Sequence, residues 1–412
     1  MTTDDDFMID QILFQIGLGG DWISTVIWFV MFLFMMVFYS KIMVYQMILK
    51  LDQSASMLEE LTKKSKKTVV SKITKNPSPE LKKNIDNFLE FFVIEPVSLD
   101  PYGIVKKIEH VVNLSEERFK YFASRVAPNL DKESQANIGM GLSAAISLNQ
   151  IAKVVRHYVE LIRKTKNLQL AMVLQMQVPM IERIARALYN GTEALSSGWP
   201  IGDSAGCIVA AKMIGDNKIS EPEQDTVMVK KNIRGRQVFI IKAKGPGGRL
   251  GKPGKLVERL IRTNKVAKVI TVDAAAKLEG EKTGSIAEGI GVAIGGPGVD
   301  RNYIEGITTA KQIPLDSIVI KMSQEEAIQP IRAEVLDATD KAMKLVETNI
   351  AETKQKGVII MVGVGNTGGV GNDSKAVKEA DDLARRVLKI VKARKQEKKS
   401  RFSGWFSSGI GM

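Results

Sequence analysis

Gly357-Val358-Ile359-Ile360-Met361-Val362-Gly363-Val364-Gly365-Asn366-Thr367-Gly368 is the stretch on which the fold turns. The apolar run Val358 to Val362 reads as a strand, the glycines after it as a tight turn, and Asp373 to Lys395 as a helix. Strand, glycine turn and helix in that order form the repeating step of an α/β domain. The same texture extends back to Ser196, where short β-branched runs alternate with helical ones. Strands are expected at Val227 to Val229, Gln237 to Ala243, Ala267 to Val272, Ile290 to Ile294, Ser317 to Lys321 and Gly357 to Val362. Helices are expected at Ala205 to Ile214, Lys255 to Thr263, Glu325 to Glu352 and Asp373 to Lys395. Such alternation predicts a mainly parallel sheet.

Upstream the character changes. Trp22 to Tyr39 carries no charge, and at about 1.5 Å per residue it nearly covers a hydrocarbon core of roughly 30 Å. Asp4, Asp5, Asp6, Asp10 and Asp21 precede it, and eight lysines from Lys41 to Lys75 follow it. The positive-inside rule then places the N-terminus outside the cell membrane and the bulk of the chain in the cytosol, a single-pass topology. Acidic flanks argue against a cleaved signal peptide. Trp22, Trp28 and Tyr39 are candidate interfacial anchors, and Ile42, Leu49, Ala55 and Leu58 form a candidate partner stripe. Residues 80 to 195 repeat apolar positions at helical spacing and read as a helical bundle. The uncharged runs Ile138 to Ala152 and Leu168 to Ile181 read as its buried helices, with a re-entrant or interfacial segment as the alternative. The expected order is therefore an acidic outer segment (1–21), a transmembrane helix (22–49), a basic helix and Pro-rich linker (50–79), a helical domain (80–195), an α/β domain (196–395) and a basic aromatic tail (396–412).

A net charge of +13 from 59 basic and 46 acidic residues leaves nucleic acid, anionic lipid or an acidic substrate open. The basic residues gather beside the span and at the tail, where Arg401-Phe402-Ser403-Gly404-Trp405-Phe406 suits the anionic leaflet, with Trp405 as a further anchor. No recognised reader module accompanies them, so nucleic acid is not the expected partner. One cysteine and two histidines rule out an intramolecular disulfide framework and argue against a Cys/His zinc site.

Gly363, Gly365 and Gly368 match the spacing of a dinucleotide turn, but no strand with a terminal acid follows, so the turn is either a plain connection or a site for a phosphate or carboxylate. The loop Gly245 to Lys255 does not fit the phosphate-loop pattern. Arg249, Lys252 and Lys255 in it either clamp an anionic ligand or belong to an exposed loop. Asp203 precedes the helix Ala205 to Ile214, and Asp273 closes the strand Ala267 to Val272. Each is either a cap or turn residue or one of a carboxylate pair that shares a proton or holds a divalent metal. Cys207 lies on the same turn and reads as a buried structural thiol.

Pro200-Ile201-Gly202-Asp203-Ser204-Ala205-Gly206, Val269-Ile270-Thr271-Val272-Asp273-Ala274 and Gly363-Val364-Gly365-Asn366 together resemble segments of the hydrogenase maturation endopeptidases and the spore germination protease, in permuted order. That resemblance implies a phosphorylase- or hydrolase-like fold with Asp203 and Asp273 as acid and base or metal ligands, and with Asn366 positioning substrate or stabilising an oxyanion. From anchor to tail the chain also resembles an uncharacterised, archaeal-type family of membrane-anchored proteins, which implies a topology and no activity. Two functions follow as expectations. One is a membrane-tethered hydrolase acting on a polypeptide. The other is a non-catalytic tethered sensor or scaffold, a homo-oligomer in either case, whose Gly loops bind a nucleotide or other anion.

Overall fold

The computed structural model describes residues 22–96 and 103–407. The acidic segment 1–21 lies outside the described residues, as do the side chains of Trp22 and Trp405 and most of those of the basic tail. By internal contacts the chain forms two compact units, residues 1–59 with 152–182, and 60–151 with 183–412.

The first unit begins in α1 (Trp22–Ile73) and takes in the second part of α4 (Lys132–Thr165) and the first part of α5 (Leu168–Ser196). Val44, Ile48, Leu51, Ala55 and Leu58 are buried at alternating spacings of four and three, the a/d pattern of a helical seam. Ala152, Val155, Val159 and Ile162 are buried at the same rhythm. The expected stripe is corrected here: Ala55 and Leu58 belong to it, whereas Ile42 and Leu49 are exposed. Arg156 fixes the register by donating to Glu59 at 2.7 Å and Asp52 at 2.5 Å. Toward the N-terminus, Val26 to Met35 is exposed on every side of the helix, and none of the described residues covers this apolar surface.

The second unit holds α2 (Pro79–Phe88), α3 (Ile104–Val126) and the whole α/β region. α4 is long and apolar enough to cross a membrane, yet 56% of its most apolar window is buried inside the protein. Ile138, Leu142, Ala145 and Ile146 pack with Val69, Ile85, Phe88 and Leu89, so this part of α4 serves a protein core. After α5 and a single 3₁₀ turn (Gly202–Ser204) come α6 (Ala205–Ile214), β1 (Ser220–Glu223), β2 (Thr226–Ile233), β3 (Arg236–Ala243), α7 (Pro253–Thr263), β4 (Val266–Ala276), β5 (Ile286–Ile290), α8 (Val299–Ala310), β6 (Leu315–Met322), α9 (Gln324–Ile328), α10 (Ala333–Glu352), β7 (Val358–Gly363) and α11 (Ser374–Ser407).

The seven strands form one sheet in the order β1-β2-β3-β7-β4-β6-β5. Only the four central strands are parallel, and β1, β2 and β5 pair antiparallel at the edges. The sheet is thus mixed rather than mainly parallel. β2 and β3 are joined by a tight hairpin at Arg234-Gly235, which can only reverse the chain. Both faces of the parallel centre are covered. Ile240, Ile270, Ile359 and Met361 face α6, α10 and α11, while Ile241, Val269, Ile360 and Val362 face α7 and α8. This alternation within continuous apolar runs is what a doubly covered strand requires. The expected helix Glu325 to Glu352 is broken at Pro330, which lacks an amide donor and disfavours helix in the residue before it. The expected strand at Ile290 to Ile294 lies earlier, at β5.

Candidate functional site

β7 lies at the centre of the sheet, between β3 and β4, and its C-terminal end opens onto the Gly363 to Gly368 turn. Ligands of open α/β sheets gather on this edge. Two close backbone approaches build the site there. A Cβ on Gly206 would lie 2.2 Å from the Val272 carbonyl oxygen and 2.4 Å from that of Val364, so only glycine lets the start of α6 settle between the ends of β4 and β7. Gly365 takes φ +119°, and a Cβ there would meet the Asp203 carbonyl oxygen at 1.8 Å. Asp203 is held from the other side as well, because Gly202 donates to the Gln329 carbonyl at 3.1 Å and Ile331 donates to that of Pro200 at 2.9 Å.

Asp203 therefore is not the cap of its own helix. Its Oδ2 accepts the Asn366 amide at 2.9 Å across the turn, and Ser204, whose hydroxyl accepts the Ile201 amide at 3.3 Å rather than capping the helix, occupies the N-cap of α6. Oδ1 of Asp203 has no hydrogen-bond partner among the described residues. Asp273 is 5% exposed. It does not end its strand as expected, because β4 runs on to Ala276 paired with Met322 of β6. The Asp273 carboxylate accepts the Ala274 amide at 2.6 Å, and the Gly295 amide of the Gly-rich segment 289–298 is close enough to favour its ionised form. Burial raises the pKa of both aspartates, and the charge of Asp203 lifts that of Asp273 further. Asn366 is 1% exposed; its Oδ1 accepts the Gly368 amide, while its Nδ2 is buried without a partner. The structure thus brings Asp203, Asp273 and Asn366 to one end of the sheet.

Cys207 lies beside them, its thiol 3.1 Å from the Gly365 carbonyl oxygen, and burial pushes it up to about 12, so it is no nucleophile. Lys242 was not among the residues singled out from the sequence. It is fully buried, pairs in register with Gly363, and donates to the Ala243 carbonyl, the Gly371 carbonyl and Asn372 Oδ1 at 2.8, 3.2 and 2.8 Å. The available signal was a single lysine interrupting Val238-Phe239-Ile240-Ile241 before Ala243.

The cationic loop is engaged elsewhere. Arg249 pairs with Glu133 and with Asp225, Lys255 pairs with Glu109, and Lys252 donates to Asn113 and Gln224. Its backbone is spoken for too: the Gly247, Gly248, Arg249 and Lys252 amides donate to Glu133, Asn137, Thr367 and Thr226. A polyphosphate would find few free donors there. Gly363, Gly365 and Gly368 shape the turn that holds Asp203 and Asn366, and Gly368 spends its own amide on Asn366. Trp28 and Tyr39 are exposed on α1.

Among the described residues no three carboxylate, histidine or thiolate groups gather to hold a metal ion. Asp203 and Asp273 alone would leave most of a cation's ligands to water or substrate.

Residues 25–198 match the N-terminal domain of the protein of unknown function DUF1512, and residues 201–371 match the DUF1512 C-terminal domain of unknown function. The chain belongs to the DUF1512 family. Asp203, Asp273 and Asn366 all lie in the DUF1512 C-terminal domain, whose first residues form the 3₁₀ turn that carries Asp203. No curated protein and no solved structure matches the chain.

Proposed function

We propose that the chain is a hydrolase of the peptidase type, tethered to a membrane, in which Asp203 and Asp273 hold one proton between them. The observation that carries this reading is the meeting of two desolvated, electrostatically coupled carboxyl groups at the carboxyl edge of the sheet, next to an amide side chain with an unspent donor. Like charges in such a pair cannot both ionise easily, which provides an acid and a base at one pH. The ionised carboxylate takes a proton from a water as that water attacks the substrate carbonyl carbon. The protonated partner gives its proton to the carbonyl oxygen, Asn366 Nδ2 donates to the same oxygen, and a tetrahedral gem-diol forms. The carboxyl that took the water's proton then passes it to the amide nitrogen as the C–N bond breaks, while the other carboxylate takes back a hydroxyl proton, which releases acid and amine and restores the pair. The Gly295 amide lies near Asp273, and this mechanism requires the partly exposed Gly-rich segment around it to move aside for substrate. The reading rests on this geometry alone, since no solved structure supports the likeness to maturation endopeptidases or the germination protease.

The tether is the exposed apolar stretch Thr25–Met35 of α1, which none of the described residues covers and which acidic and basic flanks orient with the N-terminus outside. The experiment uses the full chain in lipid nanodiscs with an internally quenched peptide library between pH 4 and 8. Wild type cleaves, and Asp203→Asn or Asp273→Asn lowers turnover by about 100-fold or more. Equal rates for wild type and Asp273→Asn would remove the carboxyl-pair mechanism, and no cleavage by wild type would remove the hydrolase and leave a tethered binding protein.

A further inference from the structure

A cavity of about 730 Å³ lies in the second unit, bounded by α3, by the first turns of α4 and by the loop Gly248 to Lys252. Ligand sites occupy roughly 300 to 1,000 Å³. Neither Asp203, Asp273 nor Asn366 lines it, so it is a separate place from the carboxylate pair. Its walls are largely apolar, with Val112, Phe119, Ala123, Met140 and Leu250 among them. Gly139 of α4 lies on the wall; it is buried, yet a Cβ there would meet nothing within 4 Å. A buried helical glycine facing empty space is the mark of room reserved for something other than the protein.

The charges on the wall choose the occupant. Lys120, Lys132, Arg249 and Lys252 stand against Glu116 and Asp225, four cations to two carboxylates. Arg249 and Lys120 are already paired to Asp225. Lys252 differs, because its ammonium is held by two neutral side-chain oxygens, Asn113 Oδ1 at 2.9 Å and Gln224 Oε1 at 3.2 Å. Those neutral acceptors aim the ammonium and leave one of its three donors for a ligand, with Glu109, Glu116 and Asp300 within electrostatic reach of it. Glu116 has no ion-pair partner among the described residues, and its burial opposes the charged form. With the loop amides already spent, the site has Lys252 as its oriented cation, the exposed Lys132 as a second, and no cradle for a polyphosphate.

We infer that this cavity binds a free single-chain amphiphile with one carboxylate head, the acyl chain lying along α3 and α4 past Gly139 and the head on Lys252. The test is equilibrium dialysis of the full chain in neutral-lipid nanodiscs, against empty nanodiscs, with decanoate, decanol and decyltrimethylammonium. Wild type binds about one decanoate per chain saturably, and decanol more weakly. Lys252→Met weakens decanoate about tenfold or more and leaves decanol unchanged. Gly139→Leu fills the cavity and abolishes both, without loss of melting temperature, because leucine is the better helix former by about 1 kcal/mol. Ala136→Leu provides an independent block from the preceding turn. The inference is overturned by the absence of saturable decanoate binding to wild type, by undiminished binding to both leucine variants, or by tighter binding of the cationic amphiphile than of decanoate.

Discussion

Asp273 is a carboxyl group that the folded chain desolvates and sets near a second carboxyl, and both effects oppose its ionisation. In the unfolded chain it ionises near pH 4, while in the folded chain it holds its proton to higher pH. The folded state therefore binds the extra proton, and stability contributed below about pH 4 is lost as pH rises through the raised value. Asp273→Asn, which keeps an oxygen to accept from Ala274, is expected to raise the melting temperature at pH 7 and to leave it unchanged near pH 3.5. A lower melting temperature at pH 7 would mean that the carboxylate is a structural acceptor and not strained. Lys242 gives the opposite slope. Its burial brings it down to about 8 from the ordinary 10.5, so between those values the unfolded chain binds a proton that the folded chain has lost. Stability is expected to rise with pH across that window, and comparison of unfolding curves for wild type and Lys242→Met from pH 7.5 to 10.5 isolates the effect. A parallel pair of curves would place the ammonium in contact with water.

At the scale of elements, the helical seam of the first unit turns on a shift of two residues in register. Tyr39 to Leu58 contains more apolar residues than one face can bury, and Ile42 and Leu49 look as suitable as Val44 and Ile48 when only the composition is read. The a/d rhythm distinguishes them, and Arg156 bonded to Asp52, Ser56 and Glu59 holds the polar flank outward beside it. Leu51 is 1% exposed, so Leu51→Ala is expected to cost about 2 to 4 kcal/mol in chemical denaturation. Ile42→Ala, at 54% exposure, is expected to change stability by less than about 0.5 kcal/mol. Equal costs would restore the stripe through Ile42. In the sheet, Gly206 and Gly365 do for the site what the seam does for the helices. They remove side chains where backbones must touch, and so bring the start of α6 under the turn after β7.

Over the whole molecule the anchoring reading makes its own prediction, and the single buried cysteine makes it simple to test. Cys207 is fully buried with its thiol held protonated, so a cysteine introduced elsewhere is the only reactive one. In intact cells an impermeant maleimide is expected to label Asp5→Cys and to label Lys218→Cys, on an exposed loop, only after lysis. Labelling of Lys218→Cys in intact cells would invert the topology, and recovery of the chain in the soluble fraction would remove the anchor.

Read alone, the sequence determined the change from helical to α/β texture near Ser196, most of the strands, the uncovered apolar run at the N-terminus and the aspartates worth following. Periodicity and composition carry these, because each is a property of neighbouring residues. Tertiary structure alone decided the direction of the edge strands, since an apolar run reads alike in a parallel or an antiparallel neighbour. It decided that Asp203 bonds to Asn366, 163 residues away, rather than to its own helix. It also decided that Lys242 is buried, that the cations of the 245–255 loop are bound to the helices of the second unit, and that Gly139 faces a cavity. In each case the deciding contact joins residues far apart in the chain, and no local pattern records which distant backbone will arrive.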